Sequence, residues 1–190
     1  IDIIDNRIKI NKNDFIKKIN SLTRIIYLIS PINLIELIIS IPSNILIIID
    51  FCYDEFFSTE YNLNISKLLK YKNVIGLFTM SKFYSLADLN VGYLITNESM
   101  IKYLKDDIIY KISNLKSKIC EIAIKDLEHC NKIKNEFKDL KNKLIENLIV
   151  KKINYIDLFQ NNILIDINDI NILNRLNNKS IILIKSYYFN

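Results

Sequence analysis

Residues 79–93 read TMSKFYSLADLNVGY, and the rest of the sequence is best interpreted outward from this stretch. The apolar run at residues 74–78 predicts a strand that leads into it, and residues 91–96 predict the strand that follows. Ser81 and Lys82 lie on the turn between them. A lysine just past a core strand can form a Schiff base with a carbonyl compound when its surroundings lower its pKa. Alone the pair is weak evidence, because Ser-Lys pairs are common on solvated turns.

Strand-like and helix-like stretches alternate along the preceding part of the chain. Residues 1–10 look extended, and apolar runs typical of strands buried on both faces occur at residues 25–29 and 45–49. Helical spacing occurs at residues 14–22, 34–41 and 64–71. This alternation predicts an α/β fold with a mostly parallel sheet and helical crossovers.

Polar side chains follow these strands. Asn33 comes after the first buried run, Asp50 comes directly after the second, and Tyr53 follows three residues later. Ligands of parallel sheets bind beyond the carboxyl ends of the strands, so we expect these residues to lie at one edge together with Lys82. A carboxylate after an isoleucine run is costly to bury without a partner. A cap on the next helix is a fair alternative for Asp50, as a turn residue is for Asn33 and a half-buried aromatic is for Tyr53.

The pattern changes after the strand at residues 91–96. Asn97 can cap a helix, and helical spacing continues to about Cys130, with a break near Ser113. An apolar stripe then predicts a core or interface helix through Leu148, and two strands, at residues 163–167 and 181–185, flank a helix at residues 168–176. We therefore place a boundary near residue 131. Residues 1–130 are expected to form a larger α/β domain and residues 131–190 a small C-terminal α+β lobe.

Composition excludes several classes of protein. Half of the 190 residues are apolar, which is typical of a globular chain. The net charge of +5 comes from scattered lysines and forms no basic block, which argues against nucleic acid as a partner. Polar residues interrupt every long apolar region, which argues against a membrane span or membrane partner. The three cysteines have no CxxC spacing, and we expect reduced thiols in a cytoplasmic protein without a bound metal.

The lysine segment resembles that of the fold-type I pyridoxal-phosphate aminotransferases, most closely the group that acts on histidinol phosphate. That family has Thr-Phe-Ser-Lys-Ala-Phe/Tyr-Gly-Leu-Ala-Gly-Leu-Arg-x-Gly-Tyr. The chain matches this pattern at nine positions: Thr79, Ser81, Lys82, Tyr84, Leu86, Ala87, Leu89, Gly92 and Tyr93. The resemblance covers nearly the whole chain, but only the latter part of the family's large domain and most of its small domain.

The resemblance implies pyridoxal 5'-phosphate as cofactor and assigns two residues to the chemistry. Lys82 would bind the cofactor covalently and move the substrate's proton. Asp50 would pair with the ring nitrogen and keep it protonated.

The resemblance assigns four more residues to cofactor binding. Asn33 and Tyr53 would hydrogen-bond the ring oxygen. Ser81, and with it Thr79, would bind the phosphate. The family's active site lies between two copies of the chain, so the resemblance also implies a homodimer that acts on small-molecule substrates, namely an amino-acid phosphate ester and a 2-oxo acid.

The sequence departs from the family pattern at several positions. Asn90 stands where the family has a phosphate-clamping arginine, and we expect weaker cofactor binding, since charge-assisted pairs are about twice as strong as neutral ones. Phe51-Cys52 replaces Glu-Ala, and most of the family's Asn-Pro-Asn-Asn-Pro-Thr-Gly is absent around Asn33. Lys185 stands where an arginine is frequent, and a later substrate-binding arginine has no counterpart before Asn190. The sequence thus predicts poor turnover for these 190 residues.

Three functions remain open from the sequence. The leading interpretation is transamination between glutamate and imidazole-acetol phosphate in histidine biosynthesis. A related enzyme, similar to threonine-phosphate decarboxylase, is a second possibility. The third is a decayed or truncated homologue that keeps the fold without catalysis.

Overall fold

The computed structural model describes residues 2–4, 7–29, 34–56, 65–105, 112–158, 162–165, 167 and 170–179. Eight strands lie within these ranges: β1 (Asp2–Ile4), β2 (Arg7–Lys9), β3 (Ile25–Ile29), β4 (Leu46–Asp50), β5 (Val74–Thr79), β6 (Gly92–Thr96), β7 (Tyr155–Asp157) and β8 (Ile163–Ile165). The same ranges contain seven α-helices: α1 (Lys12–Lys17), α2 (Leu34–Ser40), α3 (Ile65–Leu68), α4 (Glu98–Leu104), α5 (Asn114–Lys125), α6 (Leu127–Val150) and α7 (Ile170–Asn177).

The larger sheet is built from four strands in the order β3-β4-β5-β6. β3, β4 and β5 are parallel, with Ile29 opposite Asp50 and Asp50 opposite Leu77, whereas β6 runs antiparallel to β5 with Gly92 opposite Thr79. Helices α2 and α3 lie in the crossovers between the parallel strands. The predicted α/β fold with a mostly parallel sheet is therefore confirmed.

The core lies on one face of this sheet. Ile47, Ile49 and Val74 are almost fully buried there, against apolar side chains of α2 and α3 that include Leu34, Leu37, Ile38 and Leu68. Burying such side chains is the main source of stability in a fold of this kind, at about 1.5–3 kcal/mol for each Leu or Ile. The apolar positions of α2 recur at helical spacing, and this is why the helix packs its inner face on the strands.

Gly76 in β5 leaves room for an aromatic stack on the core face. Phe51 and Phe78 stack with ring centroids 5.0 Å apart, and Tyr93 stacks on the other side of Phe78, also at 5.0 Å. A Cβ atom on Gly76 would lie 3.0 Å from the Phe51 ring and 3.1 Å from the Phe78 ring. A side chain at residue 76 would thus require the stacked rings to shift.

A second sheet joins both ends of the described chain, in the order β1-β2-β7-β8. β1 and β2 form an antiparallel pair, and β2 lies parallel to β7 with Arg7 opposite Asp157. The boundary predicted near residue 131 falls inside α6, a single helix from Leu127 to Val150. The proposed division at that residue stays a prediction, and the pairing associates β1 and β2 with the C-terminal strands.

Several element predictions agree with the structure and others differ. The first buried strand has the expected bounds, and Asn97 caps α4 by accepting a hydrogen bond from the Met100 N–H. The expectation that this strand is buried on both faces is wrong among the described residues, because Ile25, Tyr27 and Ile29 are each more than half exposed. Helices α1 and α3 are shorter than predicted, and the strand predicted at residues 181–185 lies outside the described residues. No helix in the described ranges is long and apolar enough to cross a membrane.

Candidate active site

The carboxyl ends of β3, β4 and β5 meet at one edge of the larger sheet, as parallel pairing requires. Asp50 is the last residue of β4, and Thr79 is the last residue of β5. Ser81 and Lys82 follow on the turn after β5, and Tyr53 lies on the turn after β4. The structure therefore brings Asp50, Tyr53, Thr79, Ser81 and Lys82 to one edge, as the sequence predicted. Asn33 lies outside the described residues.

Three donors converge on the carboxylate of Asp50. The Tyr27 hydroxyl donates to Oδ2, and the Cys52 backbone N–H donates to Oδ1 at 2.9 Å. The Cys52 thiol also hydrogen-bonds this carboxylate. Burial raises the pKa of Asp50, but these hydrogen bonds outweigh it, so the pKa lies below its usual value. Asp50 is thus a fixed, ionised carboxylate.

The charge of Asp50 acts on its neighbours in turn. Burial and the hydrogen bond to Asp50 raise the pKa of the Cys52 thiol to about 12. The positive charge of Lys82 acts on the same thiol in the opposite direction, which places the lysine within electrostatic reach of the cluster. The Lys82 side chain is exposed and forms no ion pair with a described residue. Its amine is therefore available to a ligand at the same edge of the sheet as the ionised carboxylate of Asp50.

Backbone hydrogen bonds fix the shape of the lysine turn. The Thr79 hydroxyl oxygen accepts from the Ser81 N–H at 3.1 Å, and the Lys82 carbonyl accepts from the Ser85 N–H at 3.1 Å. Below the turn, Met80 is buried with Val91 and with Cys120 of α5. The turn carrying Lys82 thus rests on a small apolar cluster.

Two residues of this segment adopt the left-handed backbone conformation. Ser85 has φ 55° where the resembling family has glycine, and Asn90 has φ 50° where that family has arginine. Such a conformation costs most non-glycine residues about 1–2 kcal/mol, and asparagine tolerates it better than most. The backbone at residue 90 thus suits the asparagine found there.

A side-chain network that sequence reasoning missed connects α6 to the edge. Lys134 lies 3.8 Å from Glu55 and 5.6 Å above the Phe83 ring, and both side chains of this ion pair are mostly shielded from solvent. The Tyr84 hydroxyl hydrogen-bonds Glu55, and burial is the main cause that raises the pKa of Tyr84. Phe56 packs on Phe83 with centroids 5.2 Å apart. These contacts join the turn after β4, the lysine turn and α6.

The sequence pattern also did not predict a hydrogen bond from α5 to the lysine segment or the role of one strand residue. Lys116 of α5 donates from Nζ to the Leu89 carbonyl at 2.7 Å, close to Asn90. The role of Tyr27 as a donor to Asp50 is the further feature, and Tyr27 is the one hydroxyl-bearing residue in the apolar run Ile25–Ile29. That signal was present in the sequence, whereas the ion pair between Glu55 and Lys134 depends on how α6 packs.

The edge has the groups that a phosphorylated aldehyde with a protonated ring nitrogen needs. Lys82 offers an exposed amine for the aldehyde carbon, and the hydroxyl-bearing residues Thr79 and Ser81 precede it at the end of β5 and on the following turn. A carboxylate has about four acceptor sites, and three donors from the described residues reach Asp50, which leaves one site among these residues for a ring N–H. The residues present therefore fit pyridoxal phosphate.

Comparison with known proteins gives a family and a set of relatives. Residues 29–157 match the family model described as aminotransferase class I and II. The histidinol-phosphate aminotransferase of Caldicellulosiruptor saccharolyticus is 31% identical over 166 residues, which are 81% of this chain and 46% of that protein. The enzyme of the same name from Methanococcus aeolicus is 35% identical over 67% of this chain and 37% of its own. The chain thus spans about half the length of these relatives or less.

Solved structures show the same fold. Histidinol-phosphate aminotransferase from Clostridium acetobutylicum has a TM-score of 0.75 at 21% identity, covering 94% of this chain and 58% of that one. The Sinorhizobium meliloti enzyme of that name, solved with pyridoxal-5'-phosphate, has a TM-score of 0.70 at 18% identity, with coverage of 85% and 48%. The family model accounts for more than half of the sequence and contains the Asp50 and Lys82 turns. The chain belongs to the class I and II aminotransferase family.

Proposed function

We propose that this chain provides the lysine-bearing half of a pyridoxal-phosphate-dependent aminotransferase, and that its substrates are histidinol phosphate and 2-oxoglutarate. The observation that carries the proposal is the exposed Lys82 amine at the edge that also holds the ionised carboxylate of Asp50. Family membership supports the reaction class, and the names of the relatives support the substrate.

Each residue of the edge has a part in this proposal. Lys82 would hold the cofactor through Nζ, and its amine would take up the proton from the substrate Cα. Asp50 would accept the ring N–H and hold that proton in place. The cofactor, when bound, supplies an electron sink for the carbanion. Lys82 would therefore do the proton transfer, and Asp50 would keep the ring in its electron-withdrawing form.

The remaining residues would orient the cofactor. Tyr53, half-buried on the turn after β4, and Asn33 would donate to the ring oxygen. Ser81 and Thr79 would donate their hydroxyl protons to the phosphate, and the Thr79 oxygen at the same time accepts from the Ser81 N–H. With Asn90 neutral at the family's arginine position, these hydroxyls would carry a larger share of phosphate binding.

Covalent labelling tests the proposal. The protein is mixed with pyridoxal phosphate, the bond is fixed with borohydride, and the labelled peptide is identified by mass. We expect label on Lys82, none on that peptide in Lys82→Arg, and no change in Lys72→Arg, which alters another exposed lysine. Label on a different lysine, or none, would contradict the assignment.

Substrate, assembly and location are also part of this proposal. Release of imidazole-acetol phosphate from histidinol phosphate in a single turnover tests the substrate.

A homodimer is supported by exposed apolar side chains on α5 and α6, such as Leu115, Ile122 and Leu140, and sedimentation velocity measures the oligomeric state. The free thiols of Cys52, Cys120 and Cys130 support a reducing compartment such as the cytoplasm.

A further inference from the structure

Tyr27 lies in the middle of β3, on the same face of the sheet as Asp50. In the parallel register Tyr27 is opposite Ile48 and Ile29 is opposite Asp50. Tyr27 therefore lies two register positions before Asp50 along the strand direction. Its hydroxyl donates to Oδ2 of Asp50. The ring therefore reaches along the sheet to the candidate active site.

In this hydrogen bond Tyr27 is the donor and Asp50 is the acceptor. The hydrogen bond to Asp50 is the main cause that raises the pKa of Tyr27 to about 12, so the tyrosine stays protonated and remains a donor. The same bond helps to hold the pKa of Asp50 below its usual value. The groups facing Asp50 are Tyr27 from β3 and Cys52 from the following turn, and Lys82 acts on Cys52 from the turn after β5. Across neutral pH the proton therefore stays on Tyr27 and the negative charge on Asp50.

The hydrogen bonds to Asp50 determine how its carboxylate is oriented. Oδ1 is fixed by the Cys52 N–H and Oδ2 by the Tyr27 hydroxyl, so the carboxylate has one orientation. We propose that Tyr27 is a positioning residue that orients the Asp50 carboxylate for the ring nitrogen of pyridoxal phosphate. This inference rests on the proposed function.

A double-mutant cycle with cofactor binding tests it. The affinity of the protein for pyridoxal phosphate is measured by equilibrium titration, and Tyr27→Phe should weaken it about tenfold, as expected for loss of one hydrogen bond to a charged group. Tyr103→Phe on α4 is the matched control, because Tyr103 is 80% exposed, and it should bind as the wild type does. In an Asp50→Asn background, Tyr27→Phe should have little further effect, since the two side chains act as one unit.

A cofactor-free measurement provides a second readout. Carboxyl ¹³C NMR follows the titration of Asp50 in the free protein, and its pKa should rise in Tyr27→Phe and stay unchanged in Tyr103→Phe. Equal cofactor affinity in wild type and Tyr27→Phe, or an unmoved Asp50 pKa, would overturn the role of Tyr27 and leave the proposed function intact. A wild-type protein that takes no label at Lys82 would overturn both.

Discussion

The two faces of the β3–β6 sheet have similar apolar side chains and very different surroundings. On one face Ile47 and Ile49 are fully buried beneath α2 and α3. On the other face Ile25 and Ile29 of the edge strand β3 are each 57% exposed, whereas Ile75 of β5 is buried. Apolar runs without alternation are typical of parallel strands covered on both sides. The difference teaches that an apolar run marks a strand of the sheet, whereas the placement of helices decides which side becomes the core.

The polar chemistry follows the same division. Tyr27 and Asp50 lie on the more open face, and their hydrogen bond is at the edge proposed to bind the cofactor. The covered face instead has the aromatic stack of Phe51, Phe78 and Tyr93. The covered face therefore supplies most of the buried apolar side chains of the sheet, and the other holds the hydrogen-bonded groups of the candidate site.

The largest expected effect comes from truncating matched isoleucines on the two faces. Ile49→Ala removes a fully buried side chain, and we expect the free energy of unfolding to fall by about 2–5 kcal/mol. Ile29→Ala removes the same atoms from an exposed position and should change it by about 0.5 kcal/mol. Urea unfolding followed by circular dichroism measures both. Equal losses would show that the open face is covered in solution.

A smaller effect is expected from adding a methyl group beneath the stack. Gly76→Ala would place Cβ against the rings of Phe51 and Phe78, and overpacking of this kind costs about 1–3 kcal/mol. The midpoint of urea unfolding should fall while its denaturant slope stays the same. An unchanged midpoint would mean that the rings shift freely, and that the covered face is less tightly packed than the structure indicates.

The smallest effect concerns two tyrosines whose raised pKa values have different causes. The hydrogen bond to Asp50 raises the pKa of Tyr27 to about 12, and burial does the same for Tyr93. These pKa values exceed the usual tyrosine value of about 10. The two tyrosines therefore contribute to the free energy of unfolding below about pH 10, and this contribution is lost as the pH rises through about 12.

Ring-carbon NMR of the tyrosines separates the two causes. Asp50→Asn removes the acceptor charge, so the pKa of Tyr27 should fall toward its usual value while that of Tyr93 stays raised. Parallel shifts of both residues would contradict the assignment of different causes to the two raised pKa values.

Local sequence determined much of this protein. The runs at β3, β4 and β5 and the polar residues after them follow from propensity and from the shared edge of parallel strands, which is why Asp50, Ser81 and Lys82 could be placed together beforehand. The cap of α4 by Asn97 was predictable for the same local reason, because its side-chain oxygen accepts from the backbone N–H of Met100, three residues on.

Tertiary structure decided what depends on contacts between distant segments. Three contacts join residues that are far apart in the sequence: the pairing of β2 with β7, the ion pair between Glu55 and Lys134, and the hydrogen bond from Tyr27 to Asp50. The residues of the last pair are the nearest in sequence, at 23 positions apart. Periodicity reports which side of one element is apolar, but it does not report which other element packs there. The sequence alone therefore determined the strands and the residues at their ends, and only packing decided which face is the core and which side chains hold Asp50 in place.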